Sequence, residues 1–272
     1  MNTKKLIIPV LSLFMLVGCI DPVTEKPEPA SVEKIDKFKV ESNITKFNII
    51  DDKTFKNLIC DSGEFHILES MPIEYKFEQC KKEGLVVNGS FVAFNGYTIA
   101  FDDLNLSFEN NHIIEEDVGN IEVYKGSYIH YDFMMREDIN LATLLIDMQT
   151  TINGYKLNLN NLKIELASSS CEFMSELEDC MEEISMNVLS GSLDVDKMHF
   201  SLDKTYTENK IILTEIGLRD DASIHLLDSE GHKVELAVER AGVSMKENYL
   251  VLKIDANGDG HFSSDEITKL EE

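Results

Sequence analysis

Asn95-Gly96-Tyr97-Thr98-Ile99-Ala100-Phe101-Asp102-Asp103-Leu104-Asn105-Leu106-Ser107-Phe108 aligns without a gap on Asn153-Gly154-Tyr155-Lys156-Leu157-Asn158-Leu159-Asn160-Asn161-Leu162-Lys163-Ile164-Glu165-Leu166. In each copy apolar and polar residues alternate, the period of a strand with one buried face. A two-residue step, Asp102-Asp103 or Asn160-Asn161, then interrupts the alternation. Asp and Asn are the non-glycine residues that best tolerate positive φ, so each step reads as the two-residue turn of a β-hairpin. That turn sets Phe101 opposite Leu104, Ile99 opposite Leu106 and Tyr97 opposite Phe108, all on one face. The second copy places Tyr155, Leu157, Leu159, Leu162, Ile164 and Leu166 on one face and Lys156, Asn158, Lys163 and Glu165 on the other. A weaker echo at 196–202 suggests a third related hairpin.

The same habit continues outward from the repeat. Ile121/Val123, Tyr128/His130, Ile184/Met186/Val188, Val234/Leu236/Val238 and Leu250/Leu252/Ile254 alternate with polar neighbours. Turn residues separate them at Gly119-Asn120, Gly191 and Ser229-Glu230-Gly231. The expected fold is all-β, an antiparallel meander that closes as a sandwich or barrel to bury its apolar face, followed by a short C-terminal strand-loop-helix. Helix is expected only over Ile139–Met148 and for a turn or two from Ser264.

Residues 1–18 read as a secretory signal: Lys4 and Lys5 precede an apolar run, Leu6 to Val17, that is too short to span a bilayer. Its end, Leu16-Val17-Gly18-Cys19, resembles the lipobox of bacterial lipoproteins. The resemblance implies cleavage before Cys19, lipidation of that cysteine and a partner in the membrane itself. Ile20 follows the cysteine where an aspartate would favour inner-membrane retention, so the resemblance implies an outer-membrane address. Residues 19–33 carry three of the five prolines and read as an extended, solvated tether. Residues 34–250 form the β body. Loss of residues 1–18, which hold Lys4 and Lys5 and no acidic residue, takes the formal charge from −25 to −27. Such a surface repels nucleic-acid phosphates, which excludes nucleic acid as a partner, and it suits divalent cations or basic partners.

The sharpest chemical pattern lies in residues 251–272. Counted from Asp255, oxygen-bearing side chains fall at loop positions 1 (Asp255), 3 (Asn257), 5 (Asp259), 9 (Ser263) and 12 (Glu266), with Gly260 at position 6. Calcium takes six to eight hard oxygens, and this spacing wraps a short loop around one point. The stretch resembles the EF-hand family, and more closely the single loops of dockerins. That resemblance implies one calcium held by Asp255, Asn257, Asp259, the His261 carbonyl, Ser263 and both oxygens of Glu266. The entering segment Tyr249–Ile254 reads as a strand where an EF-hand has a helix, and no second loop of the kind occurs. The competing reading is a capped turn, because Ser263 followed by Glu266 three residues later is a capping box.

After Cys19, four cysteines remain: Cys60, Cys80, Cys171 and Cys180. In an oxidising compartment they suggest two disulfides, and among three connectivities the sequential one, 60 with 80 and 171 with 180, closes the shortest loops. No nucleophile elbow, zinc-protease motif, phosphate loop or dinucleotide fingerprint occurs. Glu115-Glu116-Asp117 and Asp220-Asp221 read as acidic turns, and His130 and His199 as strand residues. The function expected from the residues is that of a non-enzymatic structural, adhesive or binding lipoprotein of the cell envelope that binds one calcium. A carrier of a lipid or other hydrophobic ligand, or a hydrolase built from distant loops, are the alternatives.

Overall fold

The computed structural model describes residues 27–42, 60–68, 71–82, 84–94, 98–108, 119–135, 139–169, 183–214, 217–240, 242 and 247–270. The signal, Cys19, the first part of the tether, Glu115–Asp117, Cys171 and Cys180 lie outside the described residues. Sixteen strands form one antiparallel sheet. They are β1 (Ser62–Leu68), β2 (Ile73–Lys82), β3 (Leu85–Phe94), β4 (Thr98–Phe108), β5 (Asn120–Val123), β6 (Tyr128–Met135), β7 (Ile139–Ile152) and β8 (Tyr155–Ser169), then β9 (Glu183–Val195), β10 (Met198–Leu202), β11 (Lys210–Thr214), β12 (Gly217–Leu218), β13 (Ser223–Asp228), β14 (Lys233–Glu239), β15 (Tyr249–Ile254) and β16 (Ile267–Lys269). The path runs β1-β2-β3-β4-β5-β7-β8-β9-β10-β13-β14-β15-β16, with β6 between β4 and β7 and with β11 joining β9 to β12. The fold is all-β and meander-like, as the alternation predicts.

The repeated Asp-Asp and Asn-Asn steps are not hairpin turns. Each lies inside one continuous strand, β4 or β8, where a single extra residue shifts the register: between Asn88 and Ser90 of β3 against β4, and between Asn160 and Lys163 of β8 against β9. Asp103 and Asn161 do adopt positive φ, 52° and 48°, but as β-bulges. The assignment of faces survives this correction. A two-residue turn and a one-residue bulge both put inward-facing residues three apart, so Phe101 and Leu104 share a face either way, as do Leu159 and Leu162. Opposite each bulge stands a glycine, because the bulged backbone approaches too closely for a side chain. A Cβ on Gly89 would sit 2.0 Å from the Asp103 carbonyl oxygen, and one on Gly191 would sit 2.6 Å from Leu162 Cα.

The irregularities fall in line across the sheet. β2 bulges at Gln79 against both neighbours. β5 and β6 pair with β4 on either side of Asp103, at Leu104–Ser107 and Thr98–Ala100. On β9, β11 pairs below Val188 and β10 pairs above Gly191, with residues 203–209 between them. Bulges sharpen the right-handed twist and bend the strands that carry them, so the sheet is creased along this row. The crease lets a wide sheet close over one apolar cluster, which runs from Phe77 and Val87 through Leu144, Ile146, Leu157 and Ile164 to Ile254 and Leu270.

Two local expectations are corrected. Ile139–Met148 is strand and not helix: Leu144, Ile146 and Met148 are all buried at period two, and β6 and β8 supply ladder partners along both edges. Tertiary pairing overrides a weak helical preference here. The end of the expected tether is also docked, not solvated. Glu28 bridges Met198, its N–H donating to the Lys197 carbonyl at 2.8 Å, and the buried Ala30 N–H donates to Asp228 Oδ2 at 3.0 Å. A helix follows, α1 (Val32–Ser42), whose Lys34 N–H donates to the Ser31 hydroxyl in its first turn. Ile35 and Phe38, three apart on one helical face, are buried, and Phe38 meets the Tyr155 ring edge-on at 5.9 Å. Burying two such side chains contributes about 3–6 kcal/mol, enough to hold a short helix that has little intrinsic stability of its own.

Candidate metal centre

Strand β15 delivers the first residue of the candidate loop. Its Leu250, Val251 and Ile254 are buried, and the ladder extends one step further because Asp255 N–H donates to the Lys233 carbonyl at 2.9 Å. Asp255 is therefore drawn below the surface, only 2% exposed. Its Oδ2 accepts the Gly260 N–H at 2.9 Å, while its buried Oδ1 has no hydrogen-bond partner among the described residues. Asn257 Oδ1 then accepts the Asp259 N–H, and Asp259 Oδ1 accepts the His261 N–H, both at 2.8 Å. These successive side-chain turns coil the loop, with Gly258 and Gly260 at positive φ.

Glu266 closes the loop from the far side. Its Oε1 accepts the Ala256 N–H at 2.9 Å, and its Oε2 accepts the Ser263 N–H at 2.9 Å and the Ser263 hydroxyl at 2.7 Å. The hydroxyl and amide of Ser263, with help from Ala256 and Asn257, hold the Glu266 carboxyl below the usual carboxylate range. The expected C-terminal helix is a single 3₁₀ turn, Ser264–Glu266, after which Ile267-Thr268-Lys269 returns as β16 beside β15. The twelve-residue stretch thus joins two neighbouring antiparallel strands. Thr268 ties this return to α1 through a 2.6 Å hydrogen bond to Asp36.

The geometry contains both competing readings. The capping box at Ser263 and Glu266 is formed. Among the described residues no group of three or more His, Cys, Asp or Glu side chains converges closely enough to hold a metal ion. The loop is nevertheless rich in hard oxygens, open to solvent at Asn257, Asp259 and His261, and holds in Asp255 Oδ1 a buried acceptor without a donor. A buried carboxylate oxygen in that condition is unfavourable by several kcal/mol unless a cation or a donor reaches it. The donor set suits calcium over softer metals. Lys233 works against a tight site, since its ammonium lies 4.0 Å from where a side chain on Gly260 would begin.

The other candidate residues divide cleanly. Cys60 and Cys80 are joined, with Cα atoms 5.2 Å apart, and Cys80 is fully buried between β1 and β3. Asp220 and Asp221 are engaged by arginines. Arg219 grips Asp221 through Nε and Nη2 and reaches Glu183 at 3.0 Å, while Arg240 lies 3.5 Å from Asp220. The Arg219 guanidinium holds the Asp221 carboxyl below its ordinary range. That pair is thus a charge clasp and not an acid–base couple. His130 accepts or donates to the Thr98 hydroxyl at 2.7 Å. His199 pairs with the buried Asp194, which also takes a hydrogen bond from Asn160 at 2.8 Å.

Sequence reasoning missed the carboxylate of Asp228, whose side chain is fully buried. Its Oδ1 accepts the N–H groups of Glu230 and His232, and its Oδ2 accepts that of Ala30. The only signal available was the Asp-Ser-Glu-Gly turn that begins at this residue. No known protein family, curated protein or solved structure matches the chain.

Proposed function

We propose that the protein is a membrane-anchored extracytoplasmic lipoprotein that binds one calcium ion in the loop Asp255–Glu266 and serves a structural, adhesive or binding role in the cell envelope. The observation that carries the metal reading is Asp255 Oδ1, a buried and unpartnered carboxylate oxygen at the first position of a calcium-spaced loop. Asp255, Asn257, Asp259, Ser263, Glu266 and the His261 carbonyl would hold the ion. Glu266 already spends both oxygens on backbone and hydroxyl donors, and Lys233 stands nearby, so binding competes with an existing cap. The affinity follows as weak, in the ~10⁻⁴–10⁻³ M range of extracellular modules. At ten times the dissociation constant, linkage stabilises the fold by about 1.4 kcal/mol.

Titration calorimetry and thermal denaturation test this reading. Millimolar calcium is expected to raise the melting temperature of the wild type and to leave Asp255→Asn unmoved. A wild type indifferent to millimolar calcium in both heat and melting temperature reduces the stretch to a capped turn between β15 and β16. The anchor rests on the lipobox resemblance at Leu16–Cys19. Cys19→Ser is expected to lose acyl labelling and membrane fractionation, and retention of both overturns the anchor.

A further inference from the structure

On the solvent-facing side of β13 and β14 lies a cleft of about 190 Å³, lined by Asp203, Tyr206, His225, Lys233, Glu235 and Phe262 among others. Its floor is set by strand register, since His225 pairs directly with Glu235. One wall is the segment 203–209, which clamps the backbone of His225 from both sides. Asp203 N–H donates to the His225 carbonyl at 2.9 Å, and His225 N–H donates to Asn209 Oδ1 at 2.7 Å. The Tyr206 ring stacks on the His225 imidazole with centroids 3.6 Å apart. The opposite wall is the candidate calcium loop, through Gly260 and Phe262.

The polar groups of this cleft are fixed in place and only partly engaged. Asp203 is only 6% exposed; its Oδ1 takes both donors of Thr205, at 2.9 and 2.7 Å, and among the described residues its Oδ2 takes none. Glu235 has Lys253 Nζ at 3.7 Å and His225 Nδ1 at 3.9 Å, too far for hydrogen bonds. Burial pushes the His225 imidazole pKa down, and its Nε2 shares a 3.0 Å hydrogen bond with the Ser223 hydroxyl. The lining thus carries both signs of charge, Asp203 and Glu235 beside Lys233, and the neighbouring Lys253 is shared between Glu235 at 3.7 Å and Glu239 at 3.4 Å. In a chain with a formal charge of −25, a cleft that sets an ammonium group beside its carboxylates stands out from its surroundings.

We propose that this cleft binds one neutral, polyhydroxylated ring, a single sugar residue or a ligand of the same chemistry. The carboxylates of Asp203 and Glu235 accept its hydroxyl protons, Lys233 and the Tyr206 phenol donate to its oxygens, and the apolar face of the ring lies on Phe262 or on the free face of Tyr206. Carboxylates and an ammonium side by side suit a ligand that both donates and accepts hydrogen bonds. The volume is below the ~300–1,000 Å³ of sites for drug-sized ligands, which limits the occupant to about one ring. Because the segment 203–209 is already locked by hydrogen bonds, little ordering is needed on binding. The proposal goes beyond the calcium reading and stands without it.

Saturation-transfer NMR on the full chain in detergent tests it, using glucose, galactose and N-acetylglucosamine, with tetramethylammonium and acetate as ionic controls. Spectra are taken in millimolar calcium and again in chelator. The expected result is transfer to the ring protons of at least one sugar in either condition, with millimolar affinity. Glu235→Gln and Tyr206→Ala are each expected to weaken it about tenfold while circular dichroism stays unchanged. Absence of transfer from all three sugars in both conditions overturns the proposal. So does transfer that survives both substitutions, or transfer to an ionic control in preference to every sugar.

Discussion

Replacing Gly89 with alanine tests the creased sheet at its most demanding point. Gly89 has φ +96°, and an added Cβ would lie 2.0 Å from the backbone oxygen of Asp103 in the neighbouring strand. Two costs follow. A side chain held in that sparsely populated region is unfavourable by about 1–3 kcal/mol. Relieving the contact requires β3 and β4 to separate by about an ångström, an overpacking strain of a further ~1–3 kcal/mol. The expected loss is therefore about 4 kcal/mol, which for a body of this size lowers the melting temperature by about 8–16 °C. Gly126 supplies the control, because it has nearly the same φ, +95°, yet nothing lies within 4 Å of its added Cβ. Gly126→Ala should show the backbone strain alone, about 1–3 kcal/mol. Urea denaturation and thermal melts of the two variants, followed by circular dichroism, decide the matter. If Gly89→Ala is no more destabilised than Gly126→Ala, the bulge at Asp103 does not press against Gly89 and the crease is wrongly placed. Asp103→Gly adds a second check. It relieves the positive φ while removing the acceptor for Lys125 N–H at 2.9 Å, so it should stay within ~1 kcal/mol of wild type.

Reduction of the Cys60–Cys80 bridge, whose cysteines are 20 residues apart, should cost about 3 kcal/mol by loop entropy, seen as a lower melting temperature in reductant. Peptide mapping that found Cys60 or Cys80 free, or joined elsewhere, would refute the pairing. The hydrogen bond that His199 donates to the Asp194 carboxylate raises the His199 pKa above its ordinary value. Its contribution is thus complete below about pH 6.5 and is lost as pH rises through the folded pKa. Stability should fall from pH 6 towards pH 8 more steeply in the wild type than in His199→Gln, though modestly because the ring is 34% exposed; equal slopes would remove the pair from the account.

The period-two pattern was enough for the fold class because the long inner strands, such as β9, hide one face. It also placed Phe101, Leu104, Leu159 and Leu162 together. It could not separate a bulge from a tight turn, since Asp103 and Asn161 take positive φ in both and the phase of the apolar residues is the same in both. The distinguishing signal sat in the adjoining strands, where Gly89 and Gly191 make room for the bulged backbone. Ile139–Met148 was ambiguous for a related reason: its apolar residues fit either period, and only β6 and β8 along its edges decide. The calcium spacing was legible as chemistry. So was the cap, in the spacing of Ser263 and Glu266, whereas the approach of Lys233 to the loop follows from the register of β14 against β15 and was not. The cleft was illegible because Tyr206 and His225 meet through a loop clamp, with no sequence periodicity to mark it.

The docked N-terminal segment changes what the proposed anchor can do. Read from the residues alone, 19–33 is a slack spacer, but its last part is tied down by a hydrogen bond between residues 198 positions apart, Ala30 to Asp228. The covalent span from Cys19 to Glu28 then sets the reach. Nine residue steps at ~3.3–3.6 Å reach at most about 30 Å, comparable to the thickness of a bilayer core. A lipidated chain would therefore keep its body close to the membrane surface, with the docking point on the near side. The candidate calcium loop lies on that same side. Gly258 packs on the His232 ring, which a side chain there would approach to 3.1 Å, and His232 Nδ1 is 3.5 Å from Asp228 Oδ2, the atom that accepts Ala30. From the other direction, β16 behind the loop holds α1 through Thr268 and Asp36. An ion that stiffened the loop would stiffen the seat of the N-terminal segment with it, because the two meet at His232, beside Asp228, and at β16.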